Sequence, residues 1–393
     1  MRRSLRVFDQ MVSAGSPAGS CVLAELAGLS DSFEITVFSS RCEIPESLGV
    51  SVVKIPLPRS PIVLRYILFQ ILAPIYSLLH RKTGSQLGRL VQTTQGQYVG
   101  ADVAYAHFCH RAYLAGPWKN STATGLRRLA RWTNHQFNAF FERRAFLAAR
   151  AVVVPSMGLA RELAAVYPSV RDRLVTLPNP VDLPRFAPAV GFDRIAFRKE
   201  LGFNEDNTVF VFFALGDFSR KGLGLILPAL ANLRGAARAR ARVLVVGGQA
   251  GEIEEFRREG KGLDVSAQVQ FVGLQRDVTP YLWASDLLVF PSAYEIFSLS
   301  ILQAAAAALP VVVSEGLYGA EEFVVDGVNG WVVPRTIAGV EGALNQALAN
   351  SQRLADMGRA AQESVQKYSQ QAFVERWRAV YAKLLPADGE AAT

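Results

Sequence analysis

Residues 207–222 read NTVFVFFALGDFSRKG, and this stretch decides the fold class of the second half of the chain. Its first nine residues are mostly apolar and rich in aromatic side chains, which is typical of a strand covered on both faces of a parallel sheet. Gly216 marks a turn, and the apolar spacing over 223–233 predicts a helix. The stretch therefore contains the strand, turn and helix of one unit of a doubly wound α/β domain.

The same rhythm continues further along the chain. Short β-branched runs predict more strands at 241–246, 269–272, 287–290 and 309–313. We therefore predict a Rossmann-like domain over 206–367. The last segment, 368–393, has Phe373, Trp377, Val380 and Leu384 at helical spacing, which predicts an amphipathic helix and a tail.

The first half repeats the rhythm, with an apolar insertion at 61–83 and an arginine-bearing helical insertion at 125–148. Its strands are predicted at 5–8, 33–38, 52–55, 103–106, 151–154 and 174–177. Clustered prolines then predict a first domain over 1–184 and a linker over 185–205. The predicted fold is thus α/β, with two Rossmann-like doubly wound domains that face each other across a ligand-binding cleft.

Composition agrees with two domains. At 393 residues, half of them apolar, the chain is longer than one core usually supports. Its three cysteines have no CxxC spacing, so neither a disulfide framework nor a metal site is expected. The basic start reaches Asp9 before any long apolar run, so we expect no signal peptide and a cytoplasmic location.

The net charge of +8 favours anionic partners such as lipid headgroups or phosphorylated substrates. The arginines and lysine concerned lie in the first half: Arg81, Lys82, Arg127, Arg128, Arg131, Arg143, Arg144 and Arg150. Solvated helix faces are an equally open interpretation, because Glu142 sits beside Arg143 and the arginines recur at helical spacing. The chain has no nucleic-acid recognition motif, so we expect no nucleic-acid partner.

The apolar segment 61–79 is nearly long enough to cross a bilayer. Arg65, Gln70 and Pro74 interrupt it, which favours a core helix or an interfacial segment over a membrane span. Peripheral attachment to the inner face of the cytoplasmic membrane is therefore a second hypothesis for the location.

Arg220 and Lys221 are the first candidate site residues. They follow a predicted strand and the turn at Gly216, which would deliver two cations to the mouth of the sheet. A guanidinium grips phosphate oxygens in a planar fork and an ammonium adds a point charge, so the pair suits a diphosphate. The alternative is a solvated surface pair.

Glu295 lies between a predicted strand that ends at Phe290 and a helix that begins near Ser298. The free amides of a helix start bind anions, and a carboxylate just before them can accept hydrogen bonds from sugar hydroxyls. Gln303 falls about two turns later, where it could reach a ribose. A capping role for Glu295 and an ordinary polar helix position for Gln303 remain open.

These motifs resemble the donor-binding half of glycosyltransferase family 4, a group of retaining GT-B enzymes. The segments that carry the resemblance are LPNPVD at 177–182, GDFSRKG at 216–222, VQFVGLQRDVTPYLWASDLLVFPS at 269–292, the Glu295 motif and GVNGWVVP at 327–334. They occur in family order over about half the chain, which makes them more specific together than any one alone. FNAFFERRAF at 137–146 resembles the lipopolysaccharide-core enzymes and weakly favours an envelope glycan or a lipid-linked acceptor.

The resemblance implies a role for each matching residue. Arg220, Lys221 and Gly216 would hold the diphosphate, and Glu295 would contact the transferred sugar. Backbone amides at Phe297, Ser298 and Leu299 would meet sugar and phosphate, and the loop at Leu274 would meet the base. A second family glutamate that binds ribose is replaced here by Gln303, whose amide can still accept and donate hydrogen bonds.

The acceptor half matches more loosely. The turn after the first strand contains Gly15 where family glycines approach the diphosphate, with Ser16 where a second glycine often stands, although such glycines can also merely shape a turn. After another strand, His107 and then His110 are candidates to face the reacting sugar. A structural role for either histidine is equally open.

The implied reaction transfers a hexose from a nucleotide-diphosphate sugar to a glycan or lipid-linked acceptor with retention of configuration. Positioning and charge stabilisation would supply catalysis, so no cofactor and no metal are expected. Two alternatives remain on the same fold: a GT-B epimerase or phosphorylase, and a catalytically weak sugar-nucleotide-binding subunit.

Overall fold

The computed structural model describes residues 2–58, 60–80, 89–120 and 124–385. The chain divides into two compact units. Unit 1 comprises Met1–Pro180 with Gln370–Thr393, and unit 2 comprises Val181–Ser369. Each unit has its own parallel sheet and its own core.

The sheet of unit 1 contains, among the described residues, seven parallel strands in the order β5-β3-β1-β6-β7-β8-β9. A separate parallel pair is formed by β2 and β4. The strands are β1 (Arg3–Phe8), β2 (Met11–Val12), β3 (Phe33–Ser39), β4 (Arg41–Cys42), β5 (Ser51–Lys54), β6 (Arg89–Thr94), β7 (Val103–Tyr105), β8 (Ala151–Val154) and β9 (Leu174–Thr176). The strand order reverses between β1 and β6, and this is where a doubly wound sheet opens its ligand crevice.

The helices of unit 1 are α1 (Pro17–Leu29), α2 (Ile62–Leu79), α3 (His110–Ala115), α4 (Gly125–Ala148) and α5 (Met157–Val166). The α2 helix packs on the sheet through Phe69 and Ala73, which join the core around Phe8 and Phe38. By length and composition alone α2 could cross a membrane, a test that core helices of soluble proteins also pass. Arg81 and Lys82 lie outside the described residues.

The C-terminal helix, Gln370–Leu384, belongs to unit 1 and packs on α1. Phe373, Trp377 and Tyr381 are fully buried on its inner face. The hydroxyl of Tyr381 donates to Glu25 Oε1 of α1 at 2.6 Å, and Gln92 Nε2 of β6 donates to Glu25 Oε2 at 2.9 Å. A buried polar network therefore complements the apolar contacts of this helix.

The sheet of unit 2 contains, within the described part of the chain, six parallel strands in the order β12-β11-β10-β13-β14-β15. They are β10 (Thr208–Ala214), β11 (Ala241–Gly247), β12 (Val269–Gly273), β13 (Leu287–Phe290), β14 (Val311–Ser314) and β15 (Gly330–Val333). Every residue of β10 and β13 is buried, as expected of strands covered on both faces. The strand order reverses between these two strands, so the predicted doubly wound α/β fold is confirmed.

The helices of unit 2 are α6 (Leu183–Phe186), α7 (Arg194–Glu200), α8 (Phe218–Lys221), α9 (Leu223–Asn232), α10 (Gly235–Arg240), α11 (Ala250–Gly262), α12 (Thr279–Trp283), α13 (Leu299–Ala306), α14 (Ile337–Ala349) and α15 (Ser351–Ser364). Because α8 and α9 adjoin at Gly222, the predicted helix over 223–233 begins directly after the turn that carries the two cations.

The linker predicted over 185–205 is wrong. This stretch carries the end of α6 and all of α7, and it belongs to unit 2. Arg198 is buried there and donates to Asp286 Oδ2 at 2.6 Å and to the carbonyl of Ala284 at 2.7 Å. Unit 1 accordingly ends at Pro180, before the predicted boundary at 184.

Three parts of the sheets were not among the predicted strands: β6, β15 and the β2–β4 pair. The β6 sequence, RLVQTT, lacks an apolar run, yet Gln92, Thr93 and Thr94 are buried. Pairing of Gln92 with Glu25 satisfies a polar side chain that periodicity alone would place at the surface.

Candidate active site

Residues 216–222, which we call the cation turn, follow β10 and include α8. Hydrogen bonds and a buried aromatic side chain hold this turn in place. Phe218 is fully buried and anchors α8, and its amide donates to Glu252 Oε1 at 2.5 Å. Asp217 adopts a left-handed conformation with φ of 62° and accepts from Arg220 Nε at 2.6 Å. The turn therefore projects Arg220 and Lys221 at the carboxyl edge of the sheet in a fixed geometry.

Glu295 lies on the loop after β13 and meets both cations. Its Oε1 is 2.5 Å from Lys221 Nζ and 3.2 Å from Arg220 Nη1, and it also accepts from Ser292 Oγ at 3.0 Å. Its Oε2 has no hydrogen-bond partner among the described residues. One carboxylate oxygen therefore forms ion pairs with both cations, and the other is available to a ligand.

Burial and mutual attraction set the charges of this cluster. The exposed fractions of the Arg220, Lys221 and Glu295 side chains are 31%, 16% and 12%. Burial and the neighbouring Arg220 together lower the pKa of Lys221 more than Glu295 and Asp217 raise it, so the net shift is downward. For Arg220, burial also lowers the pKa, but Glu295 and Asp217 outweigh it and the net pKa is raised. The interpretation of the pair as solvated surface is therefore excluded.

The loop from Glu295 leads into α13, whose first amides have no acceptor within the helix. Ser298 occupies the N-cap position, and no side chain accepts a capping hydrogen bond there. Glu295 therefore does not cap α13, which was the alternative role that the sequence analysis allowed. Phe297 packs its ring against Tyr368 at 5.5 Å between centroids, so the side chain belongs to the core and only its backbone can serve a ligand.

The remaining donor-site predictions lie in the same unit. Leu274 directly follows β12 and is 53% exposed, and Gly216 directly precedes Asp217 in the cation turn. Leu299 begins α13, and the half-buried Gln303 follows just over one turn later. Base contact by Leu274 and ribose contact by Gln303 stay predictions.

In unit 1, the loop after β1 places Gly15 and Ser16 before α1. Ser16 caps α1 by accepting from Gly19 N at 3.1 Å. A Cβ added at Gly15 would have Ser13 Oγ as its nearest neighbour at 3.6 Å, whereas one added at Gly19 would lie 2.6 Å from the carbonyl oxygen of Ser13. Close packing therefore requires glycine at position 19. That the backbone at Gly15 approaches the diphosphate stays a prediction.

His107 and His110 have different surroundings. His107 Nε2 is buried and has no hydrogen-bond partner in the described part of the chain, and burial lowers the pKa of this imidazole to about 3. His110 shares a hydrogen bond with His135, Nδ1 to Nδ1 2.9 Å, and its amide donates to the buried Glu142 at 2.9 Å. His110 therefore has the internal partners of a structural residue, and His107 remains the candidate of the two.

Other polar residues at these sheet edges were not assigned from the sequence. In unit 1, Gln10 N donates to Gln97 Oε1 at 2.5 Å where the strand order reverses, and burial raises the pKa of Asp9 to about 6. In unit 2, Ser292 and Arg335 contact the cation turn. Ser292 is the last residue of the family segment at 269–292, so its sequence context could have identified it. Nothing in the sequence around Arg335 distinguishes it from other exposed arginines.

No group of three or more His, Cys, Asp or Glu side chains is arranged to hold a metal ion among residues 2–58, 60–80, 89–120 and 124–385. Arg220 and Lys221 supply positive charge at the site. The expectation that no metal or other cofactor is needed stays a prediction.

Comparison with known proteins identifies the family of the chain. The family described as Glycosyl transferases group 1 matches residues 193–364, and Glycosyltransferase Family 4 matches residues 20–185. A D-inositol 3-phosphate glycosyltransferase of Nocardia farcinica is 31% identical over 228 residues, which cover 55% of this chain and 49% of that protein. The chain spans about half the length of the curated relatives it matches.

Two solved structures share the fold over nearly the whole chain. One is WaaG, a glycosyltransferase involved in lipopolysaccharide biosynthesis, with a TM-score of 0.78, 19% identity and coverage of 96% of this chain and 99% of that one. The other is Anabaena HepE in complex with UDP-glucose, with a TM-score of 0.71, 17% identity and coverage of 97% and 100%. The two family matches extend over most of both units, and the chain belongs to the family 4 glycosyltransferases with the GT-B fold.

Proposed function

We propose that this protein is a retaining glycosyltransferase that moves a hexose from a nucleoside diphosphate sugar to a hydroxyl group of a glycan or lipid-linked acceptor. The observation that carries the proposal is the convergence of Arg220, Lys221 and Glu295 where the strand order of unit 2 reverses. Open α/β sheets bind ligands at that place. Two cations there suit a diphosphate, and a carboxylate with one free oxygen suits a sugar hydroxyl.

In the proposed reaction the bond between the anomeric carbon and the diphosphate oxygen breaks as the acceptor oxygen bonds to the same carbon. The acceptor attacks on the face that the diphosphate leaves, which retains the configuration, and its proton passes to the departing phosphate. Arg220 and Lys221 stabilise the growing negative charge on the diphosphate, and the first amides of α13 add donors. Glu295 Oε2 accepts from a hydroxyl of the transferred sugar and orients it.

The donor proposed first is a UDP-hexose, because HepE was solved with UDP-glucose and shares the fold. The proposed setting is envelope or polysaccharide biosynthesis, because WaaG, which also shares the fold, is involved in lipopolysaccharide biosynthesis. In this proposal the loop at Leu274 meets the base, and GDP and ADP sugars are the alternatives to test.

The test is a thermal-shift and calorimetric screen of the full chain against UDP, GDP, ADP and their glucose or mannose conjugates. We expect one nucleotide to raise the melting temperature selectively, and Arg220→Ala or Lys221→Met to abolish the shift. With an acceptor extract from envelope material, the same substitutions should slow nucleotide release at least 100-fold, by analogy with loss of a charge-stabilising donor. Lys199→Met, at an exposed position of α7, is the control. An inverted linkage in the isolated product, read by NMR, would refute retention.

A catalytically weak sugar-nucleotide-binding subunit is the second candidate, and Gln303 favours it because a neutral amide replaces the family's ribose-binding carboxylate. Binding of a donor without any transfer would support this candidate. Gln303→Glu should then strengthen donor binding. Conversion of the free sugar nucleotide, or phosphate-dependent release of sugar, would instead indicate an epimerase or a phosphorylase.

We also propose that unit 1 rests on an anionic membrane surface, consistent with a cytoplasmic, peripheral location. The outer face of α2 exposes Leu64, Ile71, Ile75 and Leu78, and the adjacent α4 exposes Leu126, Leu129 and Phe140. Exposed arginines at 127, 128, 131, 143 and 144 flank these apolar groups. Apolar and cationic groups together bind the surface of anionic bilayers.

Vesicle co-sedimentation tests this location. The full chain should bind vesicles of phosphatidylglycerol and phosphatidylcholine at low salt, and Ile71→Glu with Ile75→Glu should abolish binding. Val190→Glu, at an exposed position of unit 2, should have no effect. Equal recovery of the protein with and without phosphatidylglycerol would reject the electrostatic part of the proposal.

A further inference from the structure

Arg335 lies on the loop after β15 and contacts both loops that form the donor site. Its Nε donates to the carbonyl of Pro291 at 3.1 Å, and its Nη2 donates to the carbonyl of Ser219 at 3.2 Å. Pro291 directly follows β13, and Ser219 belongs to α8 in the cation turn. One guanidinium therefore bridges the turn that carries Arg220 and the loop that carries Glu295.

The backbone of the two loops is already in close contact at this place. Ala293 N donates to the carbonyl of Arg220 at 2.8 Å. A Cβ added at Gly222 would lie 2.4 Å from the carbonyl oxygen of Pro291, so the loops approach as closely as glycine allows. Arg335 supplies the side-chain bridge beside these contacts.

The geometry of the bridge requires a guanidinium. Arginine presents several donors in a rigid plane, so two of its nitrogens can reach carbonyls on different loops at once. A lysine ammonium is a single point donor on a flexible stem and would satisfy one carbonyl at a time.

We propose that Arg335 is a positioning residue of the donor site, which holds Arg220 and Lys221 in register with Glu295 through the backbone of both loops. This inference rests on the proposed function, because Arg335 would affect the diphosphate only through Arg220 and Lys221. Displacement of catalytic groups by about 1 Å can cost on the order of 100-fold in rate, so loss of the bridge should be measurable in turnover.

The experiment compares the unsubstituted full chain with Arg335→Ala, Arg335→Lys and Arg242→Ala. Arg242 is a matched control, because its Nη1 also donates to two backbone carbonyls, those of Ala239 and Ala241, at the opposite end of the sheet. The Kd for UDP, GDP and ADP is measured by calorimetry, and release of nucleotide from UDP-glucose, GDP-mannose and ADP-glucose in the presence of the acceptor extract from envelope material gives kcat and KM. Melting temperatures are recorded in parallel.

We expect Arg335→Ala to raise the nucleotide Kd about tenfold, the loss expected for hydrogen bonds to a charged group, and to lower kcat further. Guanidinium chloride at millimolar concentration should partly restore Arg335→Ala, and Arg335→Lys should remain impaired at an unchanged melting temperature. Arg242→Ala should stay within about twofold of the unsubstituted chain, because its carbonyl partners lie away from the donor site. If Arg335→Ala does not fold, impairment of a folded Arg335→Lys carries the same conclusion.

Two results would overturn the inference while leaving the proposed function intact: Arg335 variants that match the unsubstituted chain as closely as the control does, or full activity of Arg335→Lys with no guanidinium rescue of Arg335→Ala. The first would mean that the loops keep their register without the bridge, and the second that only charge matters. Absence of nucleotide binding by the unsubstituted chain would overturn the proposed function and this inference together.

Discussion

The ammonium of Lys221 lies 2.5 Å from the Oε1 carboxylate oxygen of Glu295, a residue 74 positions further along the chain. The same oxygen faces the guanidinium of Arg220 at 3.2 Å. The carboxylate therefore pairs with both cations that a diphosphate would need. An incoming diphosphate has to compete with Glu295 for them.

Glu295→Gln should separate nucleotide binding from sugar transfer. The neutral amide no longer competes for Lys221 and Arg220, so we expect the Kd for the free nucleotide to fall or stay unchanged. Transfer should slow at least about tenfold, because the sugar loses a carboxylate acceptor. Calorimetry and nucleotide-release kinetics check the two parts. Weaker nucleotide binding in Glu295→Gln would contradict the competition.

Gly222→Ala should damage the site far more than Gly224→Ala. Gly222 has a φ of 97° and lies against Pro291, whereas a Cβ at Gly224 would meet its nearest atom at 3.8 Å. Left-handed strain alone costs about 1–3 kcal/mol for a residue with a side chain. We expect a lower melting temperature and weaker nucleotide binding for Gly222→Ala, with Gly224→Ala close to the unsubstituted chain. Similar behaviour of both variants would refute this account of the turn.

His107 should not contribute a titration to the pH dependence of activity near neutrality. Burial lowers the pKa of its imidazole to about 3, so the side chain is neutral at ordinary working pH. His107→Gln should lower kcat about tenfold through loss of the hydrogen bond that we propose between this imidazole and the reacting sugar. The midpoint of the acid limb of kcat/KM should not move. The exposed His80→Gln is the control. A displaced acid limb in His107→Gln would show that this imidazole titrates during the reaction.

Glu25 should make the stability of unit 1 fall as the pH rises. Burial raises the pKa of its carboxyl to about 8, well above the value of about 4.3 expected in an unfolded chain. The folded chain therefore binds the extra proton, and the resulting stability is complete below the unfolded pKa and lost as pH rises through the folded pKa.

Between about pH 6 and pH 9 the melting temperature should fall less for Glu25→Gln than for the unsubstituted chain. The difference between the two falls should be at least about 2 °C. The amide imitates the protonated carboxyl toward Tyr381 and Gln92. Glu46→Gln, at an exposed position, should follow the unsubstituted chain. Parallel pH profiles for Glu25→Gln and the unsubstituted chain would mean that Glu25 does not carry this proton.

Much of the fold and part of the site could be predicted from local sequence. The apolar runs of β10 and β13 are buried on both faces, so their composition alone identifies them as central parallel strands. Arg220, Lys221 and Glu295 follow those strands directly, and the parallel sheet brings them to one edge. Their distances could not be predicted, because each depends on two segments far apart in the chain.

The features that local sequence failed to predict share one physical cause. The polar strand β6 and the charged helix α7 look like surface segments, yet the buried Gln92 pairs with Glu25 and the buried Arg198 pairs with Asp286. The sequence around Arg335 likewise does not indicate its role, because its two carbonyl partners belong to distant segments of the chain. The sequence by itself determined the α/β rhythm and the order of the motifs, since these follow from hydrophobic periodicity. Only the tertiary structure decided which polar groups are satisfied internally, because burial of a polar group depends on a partner that the neighbouring sequence does not contain.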